Sequence, residues 1–166
     1  QSWHFDAVAG RGSPLHSLCG TKPLARFGLL QLARDSLMPV HLDHFIVPIR
    51  NRIASAKLLA DILGVPWAEA GVGPFSPVYV NDGLTLDFDE AEGDFPVQHY
   101  CFRVDAPEFE VILGRIIRAG IPYRSLPHGP DDFKVNNAYG GSLVYWSKPE
   151  GHVWELLTVS YERKRT

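Results

Sequence analysis

Gly151-His152-Val153-Trp154-Glu155-Leu156-Leu157, preceded by Leu143-Val144-Tyr145-Trp146-Ser147-Lys148-Pro149-Glu150, decides how this chain is read. Two apolar runs flank a turn in which Pro149 presets one backbone angle and Gly151 permits unusual ones, so the stretch reads as strand, tight turn, strand. Side chains alternate along a strand, which puts Val153, Glu155 and Leu157 on one face and His152, Trp154 and Leu156 on the other. A carboxylate on so apolar a strand is costly to bury unless it is paired or bound to metal. Glu155 needs a partner, and the partner has to come from elsewhere in the chain.

Composition narrows the classes. The chain has 166 residues, 45% apolar and 21% charged, with a formal charge of -3 and a pI near 6.2. That is enough for one domain, or for two small modules sharing a core. No basic excess points to nucleic acid, and no apolar run approaches the roughly 20 residues that span a bilayer. Cys19 and Cys101 are far apart and in no metal-type spacing, which argues against a disulfide scaffold and for the cytoplasm.

Working outward from Glu155, residues 38–160 form the expected domain, with an N-terminal extension at 1–37 and a tail at 161–166. The extension mixes Gly, Ser, Pro and His without periodicity, apart from a short helical pattern at 27–34. Met38 is the only methionine and stands just before the first good strand, so the native start is expected there. Val40–Ile49 alternates as a strand. Ile53, Ala56, Leu59, Ala60 and Leu63 repeat at helical spacing, with Gly64 as the stop. Strands are expected near 67–70, 76–81 and 84–89, the last two joined by the hairpin signal Asn81-Asp82-Gly83. After an acidic linker come a strand at 97–104, a helix at 109–119, a loop rich in Pro, Gly and Asn at 125–141, and the closing hairpin.

This order repeats itself. Leu42-Asp43-His44-Phe45-Ile46-Val47 lies over Val97-Gln98-His99-Tyr100-Cys101-Phe102, and Gly64-Val65-Pro66 over Gly120-Ile121-Pro122. Asp82-Gly83-Leu84-Thr85-Leu86-Asp87-Phe88 lies over Glu150-Gly151-His152-Val153-Trp154-Glu155-Leu156. The chain therefore reads as two tandem βαβββ modules, about 40–90 and 95–160, an α+β fold whose mixed β-sheet forms a concave cleft with helices outside. The duplication selects His44 and His99 on the first strands and Asp87 and Glu155 on the last. Strand phase turns all four away from the helices. Two imidazoles and one or two carboxylates converging on such a surface suit a divalent metal with positions left open for substrate.

Residues 40–160 resemble the vicinal oxygen chelate superfamily, which includes glyoxalase I, extradiol dioxygenases, fosfomycin-resistance thiol transferases and bleomycin-resistance proteins. The Leu-Asp-His-Phe start, the His99 strand and the Gly-x-x-x-Glu-Leu ending at 151–156 carry the resemblance. It implies the paired βαβββ fold and a divalent ion (zinc, nickel, iron or manganese) on His44, His99 and Glu155. Asp87 falls where glyoxalase I has a further glutamate one methylene longer. A homodimer is also implied.

Two functions follow. One is a metal-dependent lyase, isomerase or dioxygenase that chelates adjacent oxygens of a small molecule, with Asp87 as general base and Tyr145 as proton donor. The other is a metal-free protein that binds small molecules, as drug-resistance members do. In that case Glu155 pairs with Arg103, which has the same inward phase. Tyr79 and Tyr145 occupy matched Val-Tyr positions, and His41, His128 and His152 read as surface or loop residues.

Overall fold

A computed structural model describes residues 40–162. The extension at 1–37, its helical pattern and Met38 lie outside the described residues, as do residues 163–166. The element order is β1 (His44–Ile49), α1 (Arg52–Leu63), β2 (Ser76–Asn81), β3 (Leu84–Glu90), β4 (His99–Arg103), α2 (Ala106–Arg118), β5 (Tyr123–Arg124), β6 (Leu143–Trp146) and β7 (Val153–Leu157).

Capping residues set where the helices begin. Asn51 accepts a hydrogen bond from the Ala54 N–H at 3.0 Å, and Asp105 accepts one from the Glu108 N–H at 2.9 Å. Each satisfies an amide that the first turn leaves without a partner. The second helix thus starts at Ala106, a turn earlier than its apolar spacing suggests. The first stops at Gly64 in the left-handed region (φ 74°), where the Arg115 guanidinium of α2 donates to the Leu63 carbonyl at 3.1 Å. A cation at a helix C-terminus also opposes the negative end of the dipole.

The strands form two mixed sheets, ordered β1-β3-β2 and β4-β7-β6-β5. The strand expected near 67–70 is reduced to one bridge between Trp67 and Val78, so the first sheet has three strands where the second has four. Register displays the duplication. In the parallel pair β1–β3, His44 stands opposite Thr85 and Ile46 opposite Asp87. In β4–β7, His99 stands opposite Val153 and Cys101 opposite Glu155. Histidine and carboxylate are offset identically in the two modules.

Both sheets and both helices feed one apolar core. Burial follows strand phase: Val47, Ile49, Leu86 and Phe88 are fully buried, whereas His44 and Ile46 are exposed. An aromatic seam joins the modules. Tyr100 stacks on Phe45 of the first module at 5.4 Å and on Trp154 at 4.7 Å, and Trp154 stacks in turn on Phe88 at 6.4 Å.

His152 belongs to this seam, contrary to its reading as a surface residue. It is fully buried. Its Nδ1 accepts from the Gln98 N–H at 3.0 Å, and its Nε2–H donates to the Pro48 carbonyl of the first module at 2.8 Å. Its strand phase, shared with Trp154 and Leu156, already pointed inward. No helix among the described residues is long and apolar enough to cross a membrane.

Candidate functional site

Glu155 is fully buried near the middle of β7, and it is not alone there. The Glu155 Oε2 lies 2.9 Å from His99 Nε2, and the Tyr161 hydroxyl lies 3.0 Å from each carboxylate oxygen. Arg103 is not among these partners. Opposite Glu155 on β6 stands Tyr145, itself buried. Burial, then the Tyr161 hydroxyl and the Glu155 carboxylate, push the Tyr145 phenol well above its usual range. Tyr145 therefore keeps its proton at neutral pH.

His99, Glu155 and Tyr161 border a cavity of about 510 Å³ that Cys101, Arg103 and Glu162 also line. Tyr161 went unnoticed in the sequence because it lies past the last strand, where no alternation places it. It reaches back over Glu155 with its ring against Tyr139 of the long loop at 5.2 Å.

The first module has a corresponding cavity of about 360 Å³, lined by Asp43, His44, Phe75, Tyr79, Thr85 and Asp87, among others. His44 Nδ1 lies 2.8 Å from Asp43 Oδ2. That hydrogen bond raises His44 above the usual histidine range and turns its Nε2 away from Asp43. A carboxylate behind an imidazole is how metal-ligating histidines are commonly oriented. The match between Tyr79 and Tyr145 does not hold in register: Tyr79 stands opposite Thr85, and Pro77 stands opposite Asp87.

The structure thus brings His99 together with Glu155, and His44 together with Asp87. The two cavities share no lining residue. Among the described residues, no group of three His, Cys, Asp or Glu side chains could hold a metal.

The donor chemistry of each half still fits an ion. Two ligands about 2.1 Å from an octahedral metal and about 90° apart lie roughly 3 Å from each other, close to the 2.9 Å between His99 and Glu155. That pair supplies an imidazole and a carboxylate, and the Asp43–His44 pair supplies a second, oriented imidazole.

Tandem modules of the βαβββ type, the first with one strand reduced to a bridge, with a histidine on each first strand and a carboxylate on each last, are the pattern of the vicinal oxygen chelate class, and known structures share the fold. FosX, the fosfomycin resistance protein of Mesorhizobium loti, has this fold at a TM-score of 0.54 and 16% identity, over 75% of this chain and 97% of its own. Lactoylglutathione lyase of Agrobacterium tumefaciens does so at 0.54 and 16%, over 72% and 94%. Two oxidases are much more similar. ChaP-H1 is 42% identical with a TM-score of 0.70, over 75% of this chain and 100% of its own. ChaP-H2 is 40% identical at 0.70, over 75% and 97%. The chain belongs to the vicinal oxygen chelate superfamily, in the group that contains these two oxidases. No protein-family model and no curated protein matches it.

Proposed function

We propose that the protein is a divalent-metal-dependent oxidase acting on a small molecule with two adjacent oxygens, and that a second copy of the chain completes its site. The observation that carries this reading is the buried Glu155 carboxylate held 2.9 Å from His99. Its counterpart, His44 backed by Asp43, faces a separate cavity of the same chain. A twofold axis that sets the first module of one copy against the second module of the other joins the unlike half-sites twice. Strands β1 and β4 end their sheets and meet within the chain through Phe45–Tyr100 and His152–Pro48, while Ile46, on the His44 face of β1, is 52% exposed, which supports contact with a second copy on that face.

His44 from one copy and His99 and Glu155 from the other would then hold the ion. Of zinc, nickel, iron and manganese, iron(II) suits two histidines and one carboxylate best, and the identity to two oxidases favours oxygen chemistry over isomerisation. The bound ion supplies Lewis acidity and a redox centre at the chelated oxygens, with dioxygen as the electron acceptor. Tyr145, protonated and opposite Glu155 on β6, donates a hydrogen bond toward the Glu155 carboxylate and supplies the proton held behind it. Asp87, arriving with His44, takes a proton from the substrate. Tyr161 holds the Glu155 carboxylate in place.

The test is elemental analysis of protein purified without chelators, beside His99→Ala and Glu155→Gln. About one ion per chain is expected, lost in both variants. No metal in the wild type, even after anaerobic reconstitution, overturns the reading in favour of a metal-free binding protein.

A further inference from the structure

Arg103 ends β4 on the face that carries His99 and Cys101 and lines the Glu155 cavity. It is exposed and forms no ion pair among the described residues. Two carboxylates line the same cavity. Glu155 is engaged by His99 and Tyr161, and Glu162 forms no ion pair with Arg103. Cys101 stands opposite Glu155, and Arg103 lies one strand repeat further along, roughly 7 Å at the usual rise. A planar cation with no ion-pair partner among the described residues thus borders the same cavity as the His99–Glu155 pair.

We propose that Arg103 is a specificity-determining residue that selects substrates bearing a carboxylate in addition to their adjacent oxygens. A guanidinium meets a carboxylate through two parallel N–H···O bonds, a geometry that water and neutral oxygens reproduce poorly. The substrate class is an aromatic acid with vicinal oxygens rather than a neutral diol. This identification of substrate rests on the oxidase reading above, but the cation's preference can be measured without it.

The experiment titrates 3,4-dihydroxyphenylacetate and its neutral methyl ester into the full-length protein by calorimetry, anaerobically, with and without iron(II). Metal content is measured in parallel for wild type, Arg103→Gln and Arg103→Lys. The acid is expected to bind wild-type protein at least about tenfold more tightly than the ester. Arg103→Gln abolishes that preference, and Arg103→Lys retains part of it, with metal content and melting temperature unchanged in both. Equal affinity for acid and ester in wild type, a preference that survives Arg103→Gln, or no binding of either probe overturns the proposal. A preference for the acid without metal uptake leaves Arg103 standing and removes the metal reading. Metal uptake without the preference does the reverse.

Discussion

Replacing His152 with leucine tests how the two modules are held together. The imidazole satisfies one donor and one acceptor from different parts of the chain, the Gln98 N–H at 3.0 Å and the Pro48 carbonyl at 2.8 Å. Leucine fills similar space and can bond to neither. With the position fully buried, both backbone groups lose their partner away from water. An unsatisfied buried group costs about 1–3 kcal/mol, so the pair costs about 2–6 kcal/mol. At about 2 kcal/mol per molar of urea, the unfolding midpoint falls by roughly 1–3 M. Equilibrium urea denaturation followed by tryptophan fluorescence reads this directly, with Trp154 packed against His152 as a local reporter. His128→Leu, an exposed loop substitution, is the control and should stay within about 0.5 kcal/mol of wild type. A midpoint drop below about 0.3 M for His152→Leu refutes the argument, because so small a loss means that the two hydrogen bonds do not form as described.

Four further outcomes are expected. Trp154→Phe removes a hydrogen bond to the Pro149 carbonyl and part of the aromatic seam, and should cost about 2–3 kcal/mol in the same assay. Trp146→Phe should cost less, about 1 kcal/mol or below, because the buried Trp146 N–H has no partner and its removal offsets the smaller ring. Asp43→Asn should weaken metal binding about tenfold or more in a competition titration, since the His44 ring loses the carboxylate behind it. Asp132 accepts from the Ser125 hydroxyl first, and from the Ser125 and Lys134 amides, which hold its carboxyl below its usual range. A folded-state value below the unfolded one gives stability that is present above the unfolded value and lost as pH falls through the folded one. Asp132→Asn should therefore flatten the loss of stability below about pH 4, measured as urea midpoints at pH 7 and pH 3.

Alternation and repetition made the module order, the helix-facing core and the matched strand positions of His44, Asp87, His99 and Glu155 legible, because strand phase and duplication are local patterns. The His152 error came from treating a residue beside a turn as a loop residue, although phase put it with Trp154. The mismatch of Tyr79 with Tyr145 arose because a shared Val-Tyr does not set strand register; the register shift between Tyr79 and Asn81 lies where the repeat was aligned. Tyr161 as a second partner of Glu155 was out of reach, since contacts made by a tail depend on where the chain turns back. The separation of His44 from His99 was equally hidden. The same two modules can bring their open faces together within one chain or between two, and phase is identical in both arrangements.

The most direct measurement of the central claim is complementation between two defective variants. His44→Ala and Glu155→Gln are each expected to lack metal as pure proteins. Unfolded together in equal amounts and refolded, half the dimers contain one of each chain. In such a dimer one site carries both substitutions and the other carries none. Metal content should therefore recover to about a quarter of the wild-type value. The same pool refolded separately and mixed under conditions that prevent exchange should recover nothing. A recovery near a quarter is what a site shared between two copies predicts. No recovery in the co-refolded pool, from variants that fold and dimerise, contradicts it.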